Sequence, residues 1–310
     1  MRTLTDGDGD LPRSSRARTG GPPNCSTDGT CSVREGLRLF CRNCQECWVD
    51  WCVSLGLAIV VAVVLKRIRP FERYIDEMTL KNERYPMMGS STVPSAALPG
   101  IAIGLPLAVF GVQFWRKRDG NELHSAVIGC IYTVVLTWFI TDSIKPLIGR
   151  PRPDFAARCF PDGVKRFGPD GNVQCTGDEA VVREGRLSFP SGHSALSFAG
   201  MSYLFFFLSE RLLGKSTRER GGGLWWLVLA LIPLAIATLV AMTRVENYRH
   251  HWDDCVVGSL IGIVMARTVY LMQRIWSEEK KGKGYETYRI YPDAHGSDRE
   301  DAMTRELLLP

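Results

Sequence analysis

The sequence predicts an all-α, polytopic membrane protein, a bundle of six transmembrane helices between two polar tails. Two observations predict it. Six apolar stretches approach the roughly 20 residues that cross ~30 Å of hydrocarbon, near residues 49–65, 95–115, 123–144, 192–209, 224–242 and 253–273. Basic clusters bracket nearly every one of them, as they do at membrane-spanning segments. The overall hydrophobic fraction of 45% is ordinary because polar tails dilute it. A soluble fold with six buried helices is the competing reading, and it leaves the bracketing charges without a reason.

Taken in order, residues 1–36 are polar, poor in bulky apolar side chains and expected to be disordered. They contain no apolar core or cleavage signature of a signal peptide. Residues 37–48 form a Cys-rich juxtamembrane segment in which Cys41, Cys44 and Cys47 recur every third residue, so a helix could show them on one side. Such cysteines are candidates for lipid acylation or for staying reduced. A zinc site is weakly suggested, because no histidine lies nearby. The six-span core is expected over 49–274 and a disordered tail over 275–310. Pro99, Pro106 and Pro233 lie inside spans, which neighbouring helices can accommodate. The fourth span begins polar. The net charge of +5 is spread over loops, with no Lys/Arg stripe interleaved with aromatics, so nucleic acid is not an expected partner.

Loop lengths are unequal. The third and fourth spans are separated by a long Gly-, Pro- and Asp-rich loop at 145–189, and long structured loops are often functional. Cys159 and Cys175 both lie in it and could pair if it faces an oxidising compartment. By parity, the loops after the first, third and fifth spans share one side of the membrane. All the polar signatures of the core open onto that side.

Those signatures are three. "KPLIGRPRP" supplies Lys145 and Arg152, a basic pair close in sequence among prolines. "SFPSGHS" places Ser191, Gly192 and His193 at a helix start, where backbone N–H groups favour anions and a glycine lets one approach. "TRVENYRHHWDD" supplies Arg244, His250 and Asp254. Positions 250 and 254 stack on one helical face, so the aspartate could accept from one imidazole nitrogen and leave the other free to attack. His251 and Asp253 are rivals that spacing alone does not dismiss. Together these residues suit a phosphoryl group, with one histidine attacking and the other protonating the leaving oxygen. No carboxylate cluster offers paired hard-metal sites, so Mg²⁺ is not implied.

The joint pattern of Lys145 with Arg152-Pro153, Pro190 to His193, and Arg244 with His250 and Asp254 resembles the type 2 phosphatidic acid phosphatase family, the lipid phosphate phosphatases. "GRPRPDF", "RCFPDG" and "RPFERYIDEM" look closest to its diacylglycerol pyrophosphate phosphatase-like subgroup. The resemblance covers about residues 69–272. It implies a six-helix bundle of the phosphatase/haloperoxidase-like kind and a reaction that needs no metal and no cofactor. It selects His250 over His251 as the nucleophile, with Asp254 orienting it. His193 becomes the acid that protonates the leaving alcohol, and Lys145, Arg152, Ser191, Gly192 and Arg244 hold the phosphate. One departure is Thr243, where the family usually has serine; threonine keeps the hydroxyl.

The implied substrates are phosphatidate, lysophosphatidate, diacylglycerol pyrophosphate and related lipid phosphates drawn from the bilayer. The implied topology has cytosolic termini and a site facing the lumen or exterior, in the endoplasmic reticulum or plasma membrane. Charge does not settle it, because Lys66, Arg67 and Arg69 make the catalytic side basic as well. On that topology the Asn24 sequon stays unused. A homo-oligomer is left open. The rivals are a sugar-phosphate or polyprenyl-pyrophosphate phosphatase reusing the same site, and a non-catalytic relative, against which the full set of motif residues argues.

Overall fold

A computed structural model describes residues 32–212 and 224–280. The expected N-terminal tail up to residue 31, with the Asn24 sequon, Cys25 and Cys31, lies outside the described residues, as does the C-terminal tail beyond 280. Among the described residues the chain is helical, with an isolated antiparallel bridge between Phe167 and Val173.

Helix α1, Val33–Glu46, is capped by Ser32, whose hydroxyl accepts from the Glu35 amide. It begins inside the segment expected as tail. It packs on the start of α5, where an added Cβ on Gly120 would lie 1.9 Å from the Gly36 carbonyl oxygen. Helix α2, Trp48–Ile59, continues through π and 3-10 turns to Arg67. Then come the short α3, Glu77–Asn82, and α4, Leu105–Lys117, which extends a π turn at Gly100–Gly104. Helix α5, Gly120–Ile148, is capped by the Asp119 carboxylate and ends at Gly149. Gly149 has φ +58, and an added Cβ would lie 2.0 Å from the Phe71 carbonyl oxygen, so glycine alone suits this corner. Two short helices, α6 at Phe155–Cys159 and α7 at Glu179–Gly185, sit in the long loop. Helices α8, Gly192–Leu212, α9, Trp225–Glu246, and α10, Trp252–Lys280, complete the order. Helix α10 runs on beyond the expected core boundary at 274.

Among the described residues, five helical segments are long and apolar enough to cross a membrane: Trp48–Arg67, Ser95–Lys117, Gly120–Ile148, Trp225–Glu246 and Trp252–Ser277. They fit an integral, multi-pass membrane protein and match five of the six expected spans. The fourth expected span is α8, which falls outside this set. Its 21 residues are long enough, but its surroundings are protein. It packs on α5, α9 and α10, and its buried residues include Ser194, Ala195, Ser197, Ala199, Gly200 and Ser202. Small residues let neighbouring backbones approach closely. An added Cβ on Gly258 or Gly262 of α10 would come within 2.5 Å of a carbonyl oxygen of Ser191 or Ala195. Position, rather than apolarity, holds α8. Outward-facing residues such as Val53, Leu55, Val112, Leu239, Leu260 and Val264 leave an apolar exterior on the other helices.

A second, smaller core lies in the loops that join α2 to α4 and α5 to α8. Ile75, Leu80, Phe155, Phe160 and Val173 are buried together around the Cys159–Cys175 disulfide. The conditional pairing of these cysteines is therefore made. Arg183 donates to the carbonyls of Lys66 and Ile68, and Arg186 to that of Arg73, so the segment after α2 is strapped across the mouth of the bundle.

Candidate active site

The ends of α5, α8 and α9 meet at a cavity of about 510 Å³. Lys145, Arg152, Gly192, His193, Arg244 and His250 all line it. Ser191 and Asp254, the other two predicted residues, are fully buried behind that wall.

Each side chain has a local reason for its place. Lys145 lies in the last turn of α5, and its ammonium pairs with Asp142 one turn earlier at 2.9 Å. Arg152 follows the Gly149 corner, and its backbone N–H donates to the Gly185 carbonyl at 2.8 Å. Its guanidinium lies 3.4 Å from Glu184. Burial lowers the Arg152 pKa to about 10, partly offset by Glu184, and it remains a cation at neutral pH. The α8 start is tied to α10 by the Ser191 amide, which donates to the Asp254 carbonyl at 3.0 Å. Ser191 Oγ accepts from the Ser194 hydroxyl at 3.1 Å within the helix start, and the residue does not line the cavity. An added Cβ on Gly192 would sit 2.8 Å from Lys145 Nζ; glycine lets that ammonium reach the helix N-terminus.

Arg244 closes α9. Its Nη1 donates to Ser91 Oγ at 2.8 Å and its Nη2 to Thr243 Oγ1 at 2.9 Å. The hydroxyl expected of residue 243 thus holds the arginine. The chain then turns back through Tyr248, at φ +53, whose ring stacks on Tyr85 at 4.6 Å. The amides of Arg249 and His250 both point at the Arg244 carbonyl, which sets His250 beside Arg244.

His250 is 4% exposed, and its Nδ1 lies 2.7 Å from the Ser188 carbonyl oxygen. A carbonyl only accepts, so Nδ1 carries the proton and Nε2 keeps its lone pair. Burial, then Arg152 and Lys145, push its pKa well below the ordinary imidazole value, which keeps it neutral. Here the geometry departs from the expectation. Asp254 lies 3.9 Å from His250 Nδ1, beyond hydrogen-bond reach. Its carboxylate instead accepts from Ser188 Oγ at 2.5 Å, Arg150 Nη1 at 2.7 Å and the His251 amide at 3.0 Å. Asp254 is linked to His250 one residue removed, through Ser188, whose hydroxyl donates to the carboxylate and whose carbonyl accepts from the ring.

Three cavity-facing groups have buried nitrogen atoms without a protein partner: His193 Nε2, Arg152 Nε and Arg249 Nε. Buried polar atoms are rarely left so, and three in one cationic cavity suit an anionic ligand rich in acceptors. His251, Asp253 and Asp254 also bring donor atoms within 4.8 Å of one another. The cation they share is Arg150, which donates to both carboxylates at 2.5 and 2.7 Å.

Sequence reasoning missed Lys66, Ser91, Ser95, Asp142, Glu184 and Arg249 in the cavity wall. Asp142 was findable, three residues before Lys145 on one helical face. Arg249 adjoins His250, and Lys66 ends a span on the same side. Ser91 and Ser95 carry no such signal.

Fold and site together define a multi-pass helical membrane protein with a histidine-bearing anion pocket at one end of its bundle. Residues 126–277 match the family described as the PAP2 superfamily. The chain belongs to that family. It is 43% identical over 223 residues to "Lipid phosphate phosphatase 2" of Arabidopsis thaliana, covering 72% of this chain and 75% of that one. It is 36% identical over 262 residues to "Probable lipid phosphate phosphatase 4" of the same plant, covering 84% and 83%. "Diacylglycerol pyrophosphate phosphatase 1" of Saccharomyces cerevisiae is 34% identical over 216 residues, covering 65% and 71%. No solved structure matches the chain significantly.

Proposed function

We propose that this protein is a metal-independent lipid phosphate phosphatase that hydrolyses phosphatidate, lysophosphatidate, diacylglycerol pyrophosphate and related lipids through a phosphohistidine. One observation carries the reading. His250, with its proton held on Nδ1, and His193, with an unpartnered Nε2, face one cavity ringed by Lys145, Arg152 and Arg244.

Burial, then Arg244, Lys145 and Arg152, lower the His193 pKa to about 4, and in this scheme the phosphate anion offsets those cations and brings the proton that His193 takes up. His250 Nε2 attacks phosphorus while the bond to the lipid oxygen breaks and protonated His193 donates to the departing alkoxide. Water then attacks the phosphohistidine. His193 takes the water proton, the P–N bond breaks, and phosphate leaves. Lys145, Arg152, Arg244 and the amides at Gly192 meet the charge that gathers on the phosphoryl oxygens. Such donors are worth on the order of 10²–10³ each in rate. Leu65 and Ile68, at the end of the first span, form an apolar part of the wall and give acyl chains a way into the bilayer.

Helix α8 is the sixth span in this reading, and residues 49–274 form the catalytic core between a Cys-rich juxtamembrane segment and polar tails. The site faces the lumen of the endoplasmic reticulum or the cell exterior. The Cys159–Cys175 disulfide supports this, since such bonds persist on oxidising sides of membranes. Cys41, Cys44 and Cys47, before the opposite end of the first span, are free thiols.

The test is phosphate release from phosphatidate by full-length protein in detergent micelles containing EDTA. Turnover persists in chelator and is abolished by His250→Ala. Total loss in chelator, or a dead His251→Ala beside an active His250→Ala, would refute the scheme.

A further inference from the structure

We propose that His251 is a positioning residue, a doubly protonated imidazolium that ties the Asp254 carboxylate to Glu83 and so couples the support of His250 to the segment roofing the cavity. The inference rests on the function proposed above.

Geometry carries it. His251 Nδ1 lies 3.2 Å from Asp254 Oδ2, and Nε2 lies 3.1 Å from Glu83 Oε2. Ionised carboxylates only accept, so both ring nitrogens must donate, and the ring bears a positive charge. The His251 amide donates to the same Asp254 oxygen at 3.0 Å. Asp254 is fully buried and sits between two cations, the imidazolium and Arg150. Those two, with the Ser188 hydroxyl, fix the carboxylate, and Ser188 in turn presents its carbonyl to His250.

Glu83 belongs to the loop after α3. Its carbonyl accepts from the Ala156 amide at 2.8 Å, and the Tyr85 amide donates to Pro153 at 3.1 Å. The same loop goes on to deliver Ser91 and Ser95 to the cavity, and Ser91 accepts from Arg244. His251 therefore joins the carboxylate behind the nucleophile to the roof that steadies a phosphate-facing arginine.

The charged groups facing His251 are Asp254 and Asp253 from the start of α10, Glu83 from the roof, and Arg150 from the turn after α5. Burial opposes the charge, but the hydrogen bonds to Asp254 and then Glu83 outweigh burial and Arg150 and raise the His251 pKa to about 9. A raised histidine pKa means that the tie is complete below the ordinary value of about 6.5 and is lost as pH rises through about 9. Losing either proton sets a lone pair against a carboxylate and breaks one end of the tie.

The test measures kcat and KM for phosphatidate from pH 6.5 to 9.5, with full-length wild type, Glu83→Gln and His251→Ala in micelles. Removing one facing carboxylate moves the alkaline fall in kcat to lower pH by about one unit. In Glu83→Gln the ratio of kcat at pH 8.5 to that at pH 6.5 then drops about threefold relative to wild type, with KM within about twofold. His251→Ala lowers kcat about tenfold at neutral pH and removes the shift between the Glu83 forms when the two changes are combined. An alkaline limb in Glu83→Gln that superimposes on wild type overturns the proposal, whether or not His251→Ala folds. A wild-type protein that releases no phosphate from any lipid phosphate would refute the proposed function instead.

Discussion

Replacing Gly192 with alanine separates catalysis from folding. The new methyl would lie 2.8 Å from Lys145 Nζ, whereas ordinary contact begins at 3.4 Å, so the ammonium has to retreat by several tenths of an ångström. The atom struck is the far end of a flexible side chain, and Asp142 still holds it at 2.9 Å. Folding should lose little, well under the 1–3 kcal/mol typical of overpacking a core. Catalysis should lose much, because misplacement by about 1 Å can cost 10²-fold and one oxyanion donor is worth 10²–10³. The same methyl also stands where the phosphate would approach the α8 amides. The assay is steady-state phosphate release from phosphatidate in micelles, beside a thermal melt of the same preparation. We expect kcat/KM to fall about 30- to 300-fold with Tm almost unchanged. The comparison variant is Gly258→Ala, whose methyl would strike the Ser191 backbone oxygen at 2.5 Å and must cost stability first. A Gly192→Ala enzyme within twofold of wild type would refute the placement of Lys145 against the phosphate.

Other substitutions probe separate links. Thr243→Ser should stay within about threefold of wild type, while Thr243→Val should lose roughly tenfold in kcat/KM, because Arg244 loses a hydroxyl acceptor. Equal activities would contradict that role. Reducing the Cys159–Cys175 bond, or replacing both cysteines with serine, should destabilise the extramembrane core by about 3 kcal/mol for a loop of this length; a calorimetric or fluorescence melt insensitive to reductant would contradict it. Arg150→Met should be strongly destabilising, by roughly 3–5 kcal/mol, because it strands the buried Asp254 charge. Arg150→Lys should recover part of that loss, and a stable, fully active Arg150→Met would show the pairing to be dispensable.

Much of the site was legible because its chemistry is local in sequence. Helix starts, basic pairs and a His–Asp spacing are short patterns, and the parity of the expected spans puts them on one membrane face. Six of the eight residues so marked do line one cavity. What escaped depends on distant contacts. The partner of His250 is a carbonyl contributed 62 residues earlier, which no side-chain pattern reveals. Glu83, Ser91 and Ser95 reach the site only because the segment after α2 folds back over it. The apolar spans were readable for the same local reason, α8 included, although it reads as the least apolar of them. A helix enclosed by other helices is selected for small side chains, so hydropathy understates it. His251 was readable only as a rival to its neighbour; the two carboxylates that claim its ring come from opposite sides of the site.

The central claim is that the phosphoryl group passes through Nε2 of His250. Rapid-quench labelling with ³²P-phosphatidate, stopped in alkali and mapped by peptide, tests it most directly. The account predicts an acid-labile, alkali-stable label on residue 250 that forms within one turnover, survives in His251→Ala and is absent from His250→Ala. Label on His251, or full turnover with no labelled histidine at any quench time, would contradict it.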